Sequence, residues 1–441
     1  MFSRFCKKIK ALLSPWADRQ KFNASYSKVQ FSALPYSQGV DTTTLTGKIM
    51  CGYQGWFAAE GDTSGRGWVH FGRLQQFKPG YSAIDFWPDM SEADDDERYP
   101  TTFRHIDGEP AYVFSSYNRK TVLRHFHWMK EYGIDGIFLQ RFGNSLKRPD
   151  AVLDFQNAVL ANVQAGAHLS GRTWAIMYDL SGLQSDEIRN FVIEDWKRLV
   201  DRLDIVNDKS YLHHKGKPVV AIWGVGFSGS RNYSLDECEK LVTFLKTDKR
   251  YGNNTIMLGL PNGWRELKFD SVSDEKLHQI ILQADIISPW TVGRYASPQQ
   301  ARLHAKAVVQ PDIEWAKRKN IDYLPVVFPG FSWQNHQKTY GRNVMLNQIS
   351  RLKGKFLWSQ SIASIQEGAD MLYVAMFDEL DEGTAIFKCT NEPPVGESQF
   401  ATFDGLPSDH YLWLTGKLGE LLRGECEPTL NPPVRCFVRR K

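Results

Sequence analysis

The sequence predicts an α/β chain folded as a (β/α)8 barrel, with a long loop after strand one and an N-terminal extension. Three observations carry that expectation. Eight short runs rich in apolar, β-branched and aromatic residues recur along the chain, separated by stretches with helical spacing. The runs are continuous, not alternating, which suits parallel strands covered on both faces. No Gly-x-Gly-x-x-Gly follows the first run, which argues against the runner-up, an open doubly wound nucleotide-binding sheet.

The expected strands are Ile49–Trp56, Gly136–Gln140, Trp174–Asp179, Val219–Trp223, Ile256–Leu260, Ile286–Trp290, Tyr323–Phe328 and Leu372–Phe377. Helices are expected where Val122, Leu123, Phe126, Met129 and Tyr132 share a face, as do Val152, Phe155, Val159 and Val163. Ile188, Phe191, Trp196, Leu199 and Leu203 mark another. Ser234-Leu235-Asp236-Glu237 reads as a capping box opening a helix through Phe244, its Ser and Glu side chains satisfying free amides. A last helix, about His410 to Arg423, is expected to be capped by Asp409 and stopped at Gly424. Residues 1–46 lack periodicity and read as an extension, 47–425 as the barrel, and 426–441 as a tail. The longest loop, 57 to about 120, holds Trp68, His70, Trp87 and the acidic run Glu92 to Glu97, expected as a solvated tip.

Composition narrows the function. The chain has 441 residues, 42% apolar and 24% charged, enough for a large core. A net charge of +4 gives no footprint for nucleic acid. No run approaches a membrane span. Met1 to Lys10 is basic, but the apolar stretch after it is short and charge returns at Asp18-Arg19, a poor signal peptide; the compartment is left open. The six cysteines show no metal or redox spacing, and read as small hydrophobes or free thiols, with a Cys426–Cys436 bridge open in an oxidising compartment. No cofactor and no metal is expected, and the chain is expected to be a monomer.

Aromatic residues make up 13% of the chain, 14 of them Trp, and a surplus of Trp means a heavy core or flat faces for a flat ligand. In a barrel, chemistry sits where strands end at the C-terminal rim. Those ends carry Tyr53, Gln54 and Trp56 (strand one), Gln140 and Arg141 (two), Tyr178 and Asp179 (three), Trp223 (four), Asn262 (five) and Trp290 (six). Trp333 and Asn335 follow strand seven. Aromatic faces beside amides and acids suit a sugar, with its C–H-rich faces and many hydroxyls. Trp128, Trp174 and Trp196 are expected in the core instead. Arg141 and Asp179 would either hold hydroxyls, tune an acid, or form an interstrand ion pair. His213-His214, beside a Gly-Lys-Pro turn, reads as a surface hairpin.

Strand eight ends in Asp378-Glu379-Leu380-Asp381-Glu382-Gly383, four acids within five residues. Like charges this close raise one another's proton affinity, giving a neutral acid and an ionised base at one pH. Glycosidic cleavage needs such a pair.

Gly52-Tyr53-Gln54-Gly55-Trp56-Phe57, Trp87-Pro88-Asp89, the segment Phe328-Pro329-Gly330-Phe331-Ser332-Trp333-Gln334-Asn335 and Glu379-x-x-Glu382-Gly383-Thr384 resemble the glycoside hydrolase family 71/99-like proteins. The resemblance covers about residues 47 to 425, and its link to family 99, the endo-α-mannosidases and endo-α-mannanases, lies mainly in the strand-eight motif. There the family reads Glu-Trp-His-Glu-Gly-Thr, whereas this chain has Leu380-Asp381 in the middle, and its strand-one segment replaces a tyrosine-rich one. The resemblance implies that Glu379 is the base acting on the substrate's own 2-hydroxyl, giving a 1,2-anhydro sugar. It implies that Glu382 is the general acid and then base, with net retention. The expected substrate is an α-linked oligo- or polysaccharide, held by the rim residues above together with Trp87 and Asp381. Two other readings stand beside it: an idle glycan-binding barrel, and a metal-dependent hydrolase using Asp378, Asp381 and Asp179.

Overall fold

The computed structural model describes residues 20–229 and 231–435. Its strands are β1 (Ile49–Tyr53), β2 (Tyr99–Arg104), β3 (Pro110–Val113), β4 (Gly136–Phe142), β5 (Thr173–Asp179) and β6 (His213–His214). They continue as β7 (Lys217–Trp223), β8 (Thr255–Leu260), β9 (Ile286–Pro289), β10 (Asp322–Tyr323), β11 (Val326–Val327) and β12 (Leu372–Val374). The sheet runs β10-β9-β8-β7-β5-β4-β1-β12-β11, every neighbour parallel. β10 and β11 are two halves of one stave interrupted at Leu324-Pro325. Leu324 donates its amide to Ile287 on one side, and the Pro325 carbonyl accepts from Tyr373 on the other. Proline cannot donate to a ladder, so the break falls where the stave passes from one partner to the next. The ring therefore closes, and all eight expected strands are its staves.

Each stave is covered inside by the other staves and outside by helices, so its residues alternate between two buried faces. In β1, Gly52 points inward: a Cβ there would stand 2.2 Å from the Tyr373 hydroxyl and 2.3 Å from the Met376 sulfur. Tyr53 points outward, its hydroxyl 2.9 Å from His125 Nδ1 on the helix Arg119–Tyr132. The expected helices form at Arg119–Tyr132, Ala151–Ser170 and Leu235–Thr247, the last with both halves of its capping box made. The helix Glu194–Leu203 follows a π-helical stretch, Ile188–Ile193. Trp128, Trp174 and Trp196 are buried, as expected. No helix among the described residues is long and apolar enough to cross a membrane.

Several local expectations are corrected. The acidic residues from Glu92 through Asp96 are solvent-exposed, as expected, but the run is also anchored at its two ends: Glu92 accepts from Trp128 Nε1 (2.8 Å) and Lys388 Nζ (2.5 Å), and buried Glu97 pairs with Arg124. It latches the long loop, with its β2–β3 hairpin, onto the barrel. Asp409 does not cap the helix His410–Leu422; its carboxylate holds Tyr132 and Arg435 instead. His213-His214 does form a hairpin with β7, but His214 is buried, accepting the Leu45 amide and pairing with Asp322 at 2.8 Å. Cys51, Cys238 and Cys389 are buried free thiols and Cys426 is free, while Cys6 and Cys436 lie outside the described residues.

Residues 20–27 are helical, and Ser25 and Tyr26 dock on the barrel's outer layer. Tyr26 donates to Asp195, which also accepts from Tyr178 (2.7 Å) and from Arg141 through Nε (2.7 Å) and Nη2 (2.6 Å). Arg141 and Asp195 are 2% and 1% exposed. Such a pair is held by its full set of partners, and removing one member strands the other charge in a dry site. Asp195→Ala is expected to lower unfolding free energy by about 3–5 kcal/mol in urea titrations. Adding Arg141→Met should restore most of that loss, and no recovery would mean that Asp195 acts through packing alone.

Candidate active site

The turn after β12 is built to hold its side chains in fixed places. Asp378 is fully buried and accepts the amides of Gln54 (2.8 Å) and Gly55 (2.9 Å), tying the end of stave eight to the end of stave one. Thr384 and Ala385 return their amides to the Glu379 carbonyl, and the Ser332 amide donates to the Glu382 carbonyl. Gly383 has φ +62°, and a Cβ there would lie 2.8 Å from the Ser332 backbone, so glycine is the residue this turn accepts.

Within this frame the two glutamates differ. Glu379 is 5% exposed, with Oε1 accepting from Gln54 Nε2 (2.6 Å) and Oε2 from Thr384 Oγ1 (2.6 Å). Glu382 is part-exposed and faces an open hollow, and its carboxyl has no hydrogen-bond partner among the described residues. Neither is spent on an arginine. Burial first, then the charges of Glu382 and Asp381, push the Glu379 carboxyl well above the usual range. Burial, then Asp381, pushes Glu382 up to about 7. Buried acids this close share a proton at neutral pH. The two donors on Glu379 oppose its upward shift without cancelling it, so the proton belongs to the pair. Asp378 is likewise pushed up to about 7, by burial.

Two hollows flank the turn. The first, of about 340 Å³, is entered past Gln54, Gln140 and Asp179 at the ends of β1, β4 and β5. The second, of about 460 Å³, holds Asp381, Glu382 and His336. Trp56 and His70 line both and stack face to face, 3.8 Å between centroids and 4° between planes, with Phe142 also stacked on Trp56 at 5.1 Å. His70 Nδ1 stands 2.9 Å from Asp381 Oδ2. Three buried polar atoms here have no partner: Gln54 Oε1, Trp56 Nε1 and Asp381 Oδ1. An unpaired buried polar atom costs stability in the empty protein, so a cluster of them at a strand-end rim marks a polar ligand's place.

The structure brings Gln54, Trp56, Gln140 and Asp179 to the first hollow and Trp56, Asp381 and Glu382 to the second. Trp56 presents no bare stacking floor, since His70 and Phe142 cover it. Tyr53 and Tyr178 turn outward and are fully buried, so neither reaches a sugar. The Arg141 backbone borders the first hollow, but its guanidinium is fixed by Asp195 on a helix, not by a neighbouring strand. Trp87 is buried among Phe77, Phe103 and Phe400, beneath a separate surface groove. Asn262 accepts from or donates to His304 Nε2 at 2.8 Å. Buried Asn335 donates to the Ile84 and Gln399 carbonyls, a structural role. Trp290 packs edge-on against Trp223, and Trp333 lies parallel to His336 at 6.3 Å. The trio Asp378, Asp381 and Asp179 is not gathered, and among the described residues no group of three or more His, Cys, Asp or Glu is arranged to hold a metal ion.

His70, Thr384 and Phe142 escaped the reading of the sequence as site residues. Phe142 had a signal, since it lies two residues after Gln140 on the same face of β4. His70 had none beyond its place in the long loop; it also holds a left-handed backbone, φ +63°.

No family model and no curated protein matches the sequence. Among solved structures, the chain is similar to the GH99 endo-alpha-mannosidase from Bacteroides thetaiotaomicron, with TM-score 0.61 and 15% identity over 86% of this chain and 99% of that one. A complex of a GH99 endo-alpha-mannosidase from the same organism with bis-tris propane gives 0.59 and 16%, covering 86% and 98%. A glycoside hydrolase-like protein gives 0.50 and 14%, covering 89% and 98%. The shared feature at these identities is the barrel fold, over nearly its full length.

Glu382 and Asp378 bind their protons more tightly folded than unfolded. The stability each contributes is therefore fully present below the unfolded value of about 4 and is lost as pH rises through about 7. The melting temperature is expected to fall between about pH 5 and pH 8, and Glu382→Gln to flatten that fall in differential scanning fluorimetry. Parallel curves for the two proteins would show that Glu382 titrates as an ordinary carboxyl.

Proposed function

We propose that this barrel is a glycoside hydrolase acting on an α-linked glycan with retention of anomeric configuration. The observation that carries the reading is Glu382: a carboxyl pushed up to about 7, free of partners, beside a polar hollow at the C-terminal rim. That is the state a general acid needs near neutral pH. The GH99 endo-alpha-mannosidases of the same fold make an α-mannoside the first substrate to try.

In the proposed reaction the glycosidic oxygen takes the proton of Glu382 as its bond to the anomeric carbon breaks. Glu379 removes the proton of the sugar's 2-hydroxyl, whose oxygen closes on the anomeric carbon as a 1,2-anhydro ring. Water then opens that ring, losing a proton to Glu382 and returning one from Glu379 to the 2-oxygen. Two inversions give retention. Acids three residues apart on one turn lie on one side of the sugar, which suits this route better than direct attack from the opposite face. Gln54 and Thr384 orient Glu379, while Asp381, held by His70, sets the field that Glu382 feels.

Glu379→Gln and Glu382→Gln are each expected to cut kcat by about a hundred- to ten-thousand-fold while leaving glycan binding in place. Proton NMR of the first product should show the retained anomer, and chelator should leave the rate unchanged. For wild type, kcat/KM should fall as pH rises through about 7, where Glu382 loses its proton. Saturable binding with no turnover on any α-glycan, or equal activity in Glu382→Gln, rejects the mechanism.

A further inference from the structure

The first hollow holds a cation that no carboxylate of the described residues contacts, although Asp62 and Asp150 attract it from farther off. Arg66, in the long loop after β1, places its guanidinium 4.8 Å from the centre of the Phe155 ring. The residue is part-buried, and while its backbone amide donates to Ser64 Oγ at 3.2 Å, its guanidinium has no hydrogen bond or ion pair to any described residue. The surrounding charges are otherwise engaged. Arg148 and Asp150 face one another at 3.6 Å. Buried Asp62 accepts from the Ala59 amide, the Ser64 amide and hydroxyl, and Ser115 Oγ. Arg141, on the same hollow, is neutralised by Asp195. Asp179, the one carboxyl lining the hollow, accepts the Ser181 amide at 2.7 Å and is pushed toward its neutral form by burial.

A part-buried cation without a contacting counter-ion is costly, and a guanidinium over an aromatic ring keeps N–H groups free for an oxyanion. The same hollow offers Trp56 Nε1, a buried donor without a partner, and it adjoins Gln54, which is 8% exposed, with Oε1 unpaired and Nε2 on Glu379. We propose that this hollow takes the acidic substituent of a charged glycan, a carboxylate or sulfate ester on the sugar, with Arg66 as its counter-ion. The inference rests on the glycan reading above and deepens it: the substrate is an anionic α-glycan, and the hollow beside Glu379 selects it.

The test uses the full chain carrying Glu382→Gln, with and without Arg66→Met or Arg66→Lys, in titration calorimetry at low and high ionic strength. The probes are matched pairs with the 1,2-trans geometry that the anhydro route needs: α-mannan fragments oxidised to the uronic acid at C6 with their carboxyl-reduced products, and sulfated α-mannan fragments with their desulfated products. One acidic member of a pair is expected to bind at least about ten-fold more tightly than its neutral counterpart, less so at high salt. Which pair shows the preference identifies carboxylate or sulfate. Arg66→Met should bring the acidic member down to the affinity of its neutral counterpart, and Arg66→Lys should keep part of the preference. Equal affinities within both pairs, or a preference that survives Arg66→Met, overturn the proposal and leave the glycosidase reading standing. Binding of none of the four probes, nor of neutral α-mannosides, overturns both.

Discussion

The mouth of this barrel depends on one buried carboxylate. Asp378 accepts two successive amides at the end of β1, and through them the last stave fixes the first. Peptide amides at Gln54 and Gly55 have left their ladder by this point, and without Asp378 they would be stranded in a dry place. With the backbone so pinned, the Gln54 side chain reaches Glu379, and Glu379 in turn reaches Thr384 across the same turn. Closure of the ring and aim of the acids are thus one set of hydrogen bonds. A carboxylate with that duty is unavailable for chemistry, which leaves Glu379, Asp381 and Glu382 to divide the work.

Much of the architecture was legible in the sequence, because a parallel barrel writes its staves as continuous apolar runs, and all eight are where those runs fall. The acid cluster was legible too, as four carboxyls beyond an apolar strand, although one of them, Asp378, serves the fold. What was misread follows from a single parity. In β1, β4 and β5, Gln54, Gln140 and Asp179 face the hollow, while Tyr53, Arg141 and Tyr178, one step away, face the helices. Residue type at a strand end suggests chemistry, but position modulo two decides whether a ligand can meet it. Continuous apolar strands hide that parity, because both faces are buried and neither is marked by polar residues.

The long loop was the other blind spot. Its acidic run reads as solvent-facing from composition, yet Glu92 and Glu97 meet Lys388 and Arg124, residues far along the chain. His70 and Arg66 come to the rim in the same loop, held by the backbone bridge between Ala58 and Val69. Contacts like those of Glu92 and Glu97 have no local signature: each partner is an ordinary surface residue until the fold brings the other to it. The left-handed backbone of His70 belongs here as well, a conformation held by Trp56 on one side and Asp381 on the other.

The segment ahead of the barrel also bears on how the barrel could be cut out and studied. Tyr26 fills the space over Arg141 and Asp195, Ser25 bonds Asn157, and the amides of Ser37 and Val40 donate to carbonyls at the foot of the helix Ala151–Ser170. A polypeptide begun at Gly47 would thus lose a plug from its side wall, wetting an ion pair directly behind Gln140 and Asp179. Trimming to the minimal ring would then yield a looser, leakier protein, and any sluggishness it showed toward sugars would speak of a missing stopper, not of missing chemistry.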